Sequence, residues 1–324
     1  MDTVEILRAN LLSAIVLSFV LGNVATLVRS DIEFPEAIYK FLGIYLLMSI
    51  GLSGGIELST VSVAEFWRPA LATVVLAIAV PVGTFVVLRY LGRFDVANAA
   101  GVAALYGSVS SVTFIASTSL MQGLGIPYEG FIPSLAALME WGMVVALFIG
   151  RWRLGTAASL AGVVRDTLTG RSVILLLGFL IVGYVIGPEG YSAIKPVFGD
   201  LFRGILVIFL FEMGMVAARQ LREFARVGVF MIAFGIAMPI LHGVVGVSLG
   251  WLAGLSLGGS FILGAITASA SYIDAPAAVR TTFPQANPSI YLTSSLGITF
   301  PFNLTLGLPL YFEFAKWLHG GGPS

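Results

Sequence analysis

Apolar runs of about 20 residues, the length a helix needs to cross a bilayer, recur along the whole chain. They fall near 10–28, 36–55, 69–91, 95–121, 127–150, 172–188, 197–218, 226–250, 257–280 and 288–315. The pattern predicts an all-α membrane protein with ten transmembrane helices, spans 1 to 10. The first run lacks a basic leader and a small-residue cleavage site, so it reads as a retained helix. The separators are short and polar. Arg151, Arg153, Arg165 and Arg171 lie in the central connection, and Arg219, Arg222 and Arg226 between spans 7 and 8.

With alternating connections, those seven arginines share one side with Arg29, Lys40, Arg89, Arg93 and Arg280, twelve in all. The other side holds Arg8, Arg68, Lys195, Arg203 and Lys316, which is five. Positive charge accumulates on the cytoplasmic side. Both termini are therefore expected outside and the arginine-rich central loop inside.

The polar punctuation repeats. "MSIGLSGG" at 48–55 matches "FEMGMVAA" at 211–218, and "AAGVAALYGSVSS" at 99–111 matches "ILGAITASASYID" at 262–274. Gly51 and Gly214 are 163 residues apart, as are Gly101 and Gly264. Five spans per half is an odd number, so the second copy enters the membrane from the opposite side. This predicts an inverted repeat, residues 1–168 against 169–324, a common plan of secondary transporters.

Within that plan spans 4 and 9 are interrupted at equivalent places, by "GSVSSVTF" (107–114) and "ASASYIDAPAAV" (268–279). A helix opened inside a membrane exposes N–H groups at the start of one half and carbonyls at the end of the other. The N–H ends attract anions. Gly107 permits close backbone approach, and Ser108, Ser110, Ser111 and Thr113 add hydroxyls of either polarity. On the other repeat Ser269, Ser271 and Asp274 supply hard oxygens suited to a sodium ion, and the half-helix starting near Ala275 supplies N–H groups. The predicted anion site therefore comprises Gly107, Ser108, Ser110, Ser111, Thr113, Ser271 and Ala275. The predicted sodium ligands are Asp274, Ser269, Ser271, Ser108 and Glu140. Two plainer roles stand beside these. Membrane serines often bond back to their own helix, and Asp274 before Ala275-Pro276 also reads as a helix N-cap.

Composition narrows the rest. Of 324 residues 58% are hydrophobic and 10% charged, with mean hydropathy +0.98. A soluble domain carries about a quarter charged residues. The net charge of zero speaks against nucleic acid. Cysteine is absent, which excludes disulfides and thiol chemistry. No hydrolase or P-loop motif occurs, so no enzyme and no organic cofactor is expected. Glu140 and Glu212 lie inside spans, where carboxylates face a cavity or a partner. Glu140 follows the broken span 4 directly, while Glu212 lies near the Arg219 cluster. His242, just after Pro239, reads as a satisfied histidine at a kink.

Several segments carry a resemblance: "GLSGG" (51–55), "GSVSS" in span 4, "YEGFIPSLAALMEW" (128–141), "LFRGILVIFLFEMGM" (201–215), "PILHG" (239–243) and "FPQANPSIYLTSSLGITFP" (283–301). Along nearly its whole length the chain resembles the sodium-dependent bicarbonate transporter family described from cyanobacteria. The resemblance implies a 5+5 inverted repeat with spans 4 and 9 broken and crossing, as in sodium–bile acid symporters. It implies a core domain moving against a gate domain, and a homotrimer in a bacterial inner (plasma) membrane. It also implies that sodium is the coupling ion beside a bound anion. Two features depart from the family. Its span 9 carboxylate falls slightly earlier, where this chain has Tyr272. The cytoplasmic loop after span 5, which in the family helps to dock a PII-like regulatory protein, is shorter here.

The expected activity is sodium-coupled uptake of bicarbonate or a similar small anion by alternating access. A proton- or sodium-linked organic-anion carrier with Glu140 titrating is the alternative. A non-transporting anion sensor is a further one.

Overall fold

The computed structural model describes residues 8, 10–59, 63–155, 165, 169, 171–220, 224–272 and 275–320. Among these residues there is no strand. The helices are α1 Ala14–Leu27, α2 Glu36–Leu58, α3 Val63–Val86, α4 Val96–Gly107, α5 Ser111–Leu124, α6 Ile132–Met139, α7 Gly142–Arg153, α8 Arg171–Lys195, α9 Phe202–Gln220, α10 Phe224–Leu252, α11 Leu257–Thr267, α12 Ala275–Thr282, α13 Pro288–Leu292 and α14 Leu308–Leu318. A π-helical turn, Val87–Leu91, extends α3. Between α13 and α14 the helix continues through two π-helical stretches, Thr293–Thr299 and Asn303–Gly307.

Six helical stretches of described residues are long and apolar enough to span a membrane: Glu36–Ile56, Ala64–Leu91, Val96–Leu124, Ile132–Arg153, Ile174–Arg219 and Gly228–Leu252. Six is fewer than the ten apolar runs, for physical reasons. Ala14–Leu27 and Leu257–Thr267 are apolar but short. The predicted runs at 172–188 and 197–218 merge into one stretch of 46 residues, about twice what one crossing takes. That stretch is not one helix. Gly187 is left-handed at φ 60°, ψ −171°, and Pro188 follows it.

Local chemistry explains the other boundaries. Ser13, Asp95, Ser110 and Ser256 are N-caps whose side chains accept the N–H of Val16, Asn98, Thr113 and Gly259. Gly125, left-handed at φ 66°, ends α5. Asn287 caps α13, with Pro288 at its first position.

Two pairs of helices pack most extensively, α2 with α8 and α1 with α9. Both close through glycine. A Cβ on Gly55 would lie 2.0 Å from the Leu180 carbonyl oxygen, and one on Gly183 2.2 Å from that of Leu52. A Cβ on Gly22 would meet the Phe211 oxygen at 2.0 Å, and one on Gly214 the Phe19 oxygen at 2.0 Å. Small residues let membrane helices approach to backbone contact. Gly51, paired with Gly214 by sequence offset, also meets a neighbouring backbone: a Cβ there would lie 2.7 Å from the Leu176 oxygen of α8. Gly101 and Gly264 differ in their neighbours: Gly101 faces Val279 of α12, and Gly264 faces Gly243 and Val247 of α10.

The centre belongs to α4, α5 and α11. Ala97 to Gly107, apart from the half-buried Asn98, are buried, as are Gly258 to Thr267. By contrast Leu17 and Leu21 of α1, Val74, Val75 and Ile78 of α3, and Ile181 and Val185 of α8 are exposed. Apolar side chains turned outward on these helices suit a lipid surround.

Candidate functional site

Between α4 and α5 the chain runs extended through Ser108 (φ −105°, ψ 161°) to Ser110 (φ −80°, ψ 107°) before helix resumes at Ser111. Between α11 and α12 helix stops at Thr267 and resumes at Ala275. The two openings are hydrogen-bonded to each other. The Ser110 N–H donates to Ser269 Oγ at 2.9 Å. The Ser271 N–H donates to the Leu105 carbonyl, near the end of α4, at 2.8 Å. Each opening thus satisfies a buried backbone group freed by the other, as a low-dielectric interior demands.

The side chains fill in around these two bonds. Ser110 Oγ accepts the Thr113 N–H at 3.3 Å, an N-cap at the start of α5. Ser269 Oγ donates back to Ile266 O at 2.7 Å. Ser271 Oγ lies 3.5 Å from the Ala275 N–H, a long bond at the start of α12. Ser108 Oγ donates to Glu140 Oε2. Glu140 is buried at the corner where α6 gives way to α7. Ser111 is the first helical residue of α5 and half-buried, while Thr113 is buried. The open face of Gly107 is filled by the Gly142 backbone, 2.8 Å from a built Cβ, and by Pro81. Gly107 therefore lets α4 touch α7 and α3. Asp274 lies outside the described residues.

Sequence reasoning missed a polar shell behind the crossing. Asn303 Nδ2 donates to the Ala268 carbonyl at 2.9 Å, and Tyr311 Oη donates to Asn303 Oδ1 at 2.8 Å. Tyr106 Oη and Thr299 Oγ1 lie 2.6 Å apart, and Thr299 Oγ1 donates to Gly235 O at 2.8 Å. Asn303 and Tyr311 stand among apolar neighbours in the sequence; in the structure Thr299 and Asn303 fall in the π-helical stretches Thr293–Thr299 and Asn303–Gly307. Such turns cluster at functional sites.

Glu212 and His242 are elsewhere. Glu212 is buried on α9, and among the described residues its Oε2 has no hydrogen-bond partner. His242 packs edgewise on Tyr106, ring centroids 6.4 Å apart, and among the described residues its Nδ1 has no hydrogen-bond partner, unlike the satisfied histidine expected.

A cavity of about 390 Å³ opens beside α5, lined among others by Ser49, Ser53, Phe114, Thr118, Gln122 and Arg203. Its walls come from α2, α5, α6, the ends of α8 and α9 and the segment between those two.

Residues 14–316 match the model of the Na+-dependent bicarbonate transporter superfamily. The chain belongs to that superfamily. No curated protein matches it. Membership makes the chain a membrane protein that transports ions, implies sodium as the coupling ion and an anion as substrate, and implies a transporter rather than an enzyme. Among the described residues no cluster of three His, Cys, Asp or Glu occurs. The donors at the crossing are one carboxylate, hydroxyls and carbonyls, a hard-oxygen set compatible with an alkali ion.

Proposed function

We propose that this protein takes up bicarbonate with sodium by alternating access, and that the crossing of α4–α5 with α11–α12 binds both. The observation that carries the reading is Glu140, a buried carboxylate bonded to Ser108 at the opening of α4. A buried anion is costly unless a cation or strong donors meet it. Sodium held by Glu140 and Ser108, with Ser269, Ser271 and Asp274 as the further ligands expected from the sequence, would neutralise it. A monovalent anion could then sit at the start of α5, near Ser110, Ser111 and Thr113, with Ser271 and the start of α12 at Ala275 opposite. One sodium per monovalent anion lowers the cost of taking either ion into low dielectric.

This reading groups the helices into ten crossings. α4 with α5, α6 with α7, α11 with α12, and α13 with α14 count as one crossing each, and the break at Gly187 separates span 6 from span 7. Residues 1–168 and 169–324 are then inverted copies, with both termini outside. The two glycine seams support it: exchanging spans 1 with 6 and 2 with 7 maps one seam onto the other. So do two loop attachments. Glu129, between α5 and α6, accepts the Ser256 N–H and hydroxyl at the start of α11. Asn98, at the start of α4, accepts the Asn287 N–H from between α12 and α13 at 2.8 Å.

Uptake of labelled bicarbonate into proteoliposomes, with and without an inward sodium gradient, tests the function. Sodium-dependent accumulation is expected, and its absence overturns the bicarbonate assignment. One observation favours a second reading. The 390 Å³ cavity, whose walls mix Ile50, Phe114, Phe198 and Phe202 with Gln122 and Arg203, is larger than bicarbonate requires. It suits an organic carboxylate, and competition of bicarbonate uptake by monocarboxylates of rising length separates the two.

A further inference from the structure

The offset that relates the two repeats has a consequence in span 10. Adding 163 to Glu140 gives Asn303. The two residues do equivalent work in the fold. Glu140 lies where α6 breaks into α7 and takes the hydroxyl of Ser108, one residue past the end of α4. Asn303 begins the second π-helical stretch and holds the carbonyl of Ala268, one residue past the end of α11. Both are buried, both come from the span following the broken one, and both sit at an irregular turn of it. The chemistry differs: a carboxylate on one side, an amide on the other.

Asn303 is also fixed. Its Oδ1 accepts from Tyr311 Oη, which orients the amide so that Nδ2 faces Ala268. Gly307 leaves room for this, since a Cβ there would lie 2.7 Å from Asn303 Oδ1 and 3.1 Å from Tyr311 Oη. The charge moves between the repeats: Ser111 of the first opening aligns with Asp274 of the second at the same offset. Each repeat therefore carries one carboxylate in this set, at exchanged positions.

We propose that Asn303 is the second repeat's counterpart of Glu140, a positioning residue that clamps the opening of span 9 with a neutral amide and thereby limits the number of cations the crossing takes. An aspartate there would add a carboxylate at the mirror position of Glu140, and with it a cation. The proposal rests on the sodium role given to Glu140 above, and the test separates the two.

Sodium-dependent bicarbonate uptake is measured in proteoliposomes for the wild type, Glu140→Gln, Asn303→Asp and the double variant. Glu140→Gln is expected to weaken the sodium response at least about tenfold, the change made by about 1.4 kcal/mol of lost ion pairing. Asn303→Asp is expected to raise the Hill coefficient for sodium. Moving the charge, with Glu140→Gln and Asn303→Asp together, is expected to recover most of the lost sodium response. A double variant no better than Glu140→Gln overturns the counterpart role while leaving the Glu140 site standing. An unchanged sodium response in Glu140→Gln overturns the site and this proposal with it. Where Asn303→Asp does not fold, Tyr311→Phe tests the positioning. It removes only the hydroxyl that orients the amide, and should raise the bicarbonate KM several-fold with the sodium Hill coefficient unchanged. A wild-type KM in Tyr311→Phe overturns the proposal.

Discussion

Two kinds of helix crossing hold this molecule together, and they solve the membrane problem in opposite ways. The seams of α1 with α9 and α2 with α8 delete side chains, so that intact helices touch backbone to backbone at Gly22, Gly55, Gly183 and Gly214. The crossing of α4–α5 with α11–α12 opens the helices instead, and each opening bonds to the other through Ser110, Ser269, Ser271 and Leu105. The first kind tolerates no added atom. The second tolerates no lost hydrogen bond. Intact helices with no free polar groups have nothing to offer an ion, whereas opened ones have N–H groups, carbonyls and hydroxyls.

The largest effect should come from adding an atom to the seams. Gly214→Ala and Gly55→Ala each push a methyl to 2.0 Å from a carbonyl oxygen of the neighbouring helix. Forced overpacking costs about 1–3 kcal/mol, occasionally more, so both should lower the thermal midpoint in detergent by similar amounts. Gly178→Ala on α8, the helix that Gly55 packs against, has nothing within 4 Å and should be neutral or slightly stabilising. Unequal losses at Gly214 and Gly55 would break the equivalence of the two seams.

Next comes the loss of a bond at the polar crossing. Ser269→Ala strands the buried Ser110 N–H, at a cost of about 1–3 kcal/mol. Ser110→Ala loses only the cap on Thr113, about 1 kcal/mol, because its own N–H keeps its partner. The order of the two in thermal unfolding checks the assignment: Ser110→Ala as the more damaging would show that the cap, rather than the cross-helix bond, dominates.

The smallest effect lies at the rim. Asp95→Ala removes the cap of α4 and should cost about 1 kcal/mol. Burial pushes the Asp95 carboxyl up, but hydrogen bonds from the Asn98 backbone and side chain together hold it below its ordinary value of 3.8. Its stabilisation is therefore full above about pH 4 and lost as the pH falls through the depressed folded value. Asp95→Asn, which still caps but cannot titrate, should flatten that part of the stability profile. An unchanged acid limb would sink the assignment.

Much of this was legible in the chain. Small polar residues at 107–111 and 269–274 mark the helix openings, because a lipid-facing helix has no use for clustered serines. The shared offset of 163 is the basis of the proposed repeat, and Glu140 stands out as a carboxylate in an apolar run. What the pattern hides is partnership. Ser110 could have bonded within its own helix, and nothing in the sequence says that its N–H reaches Ser269. Asn303 was invisible for a different reason. An amide among Phe302, Leu304 and Leu306 carries no charge to attract notice, and its value comes from a carbonyl 35 residues earlier. Helix ends set by one left-handed glycine, as at Gly187, are equally silent in a chain with 38 glycines.

The loop attachments at Glu129–Ser256 and Asn98–Asn287 have a mechanical meaning. Each ties a loop of one repeat to the first turn of a half-helix in the other, so the opened helices are strapped at two separate points. In the proposed alternating-access cycle a bundle strapped in this way would turn as one stiff piece. The joint for such a swing would be the 390 Å³ gap between α5 and α2, bridged by a long side-chain bond from Arg203 Nη2 of α9 to Gln122 Oε1 of α5 at 3.4 Å. The chain contains no cysteine, so an introduced pair would be its only thiols. A short thiol cross-linker between positions 98 and 287 should leave uptake running, and one across the gap between positions 53 and 118 should stop it. Uptake that survives the second cross-link would mean that the hinge lies elsewhere.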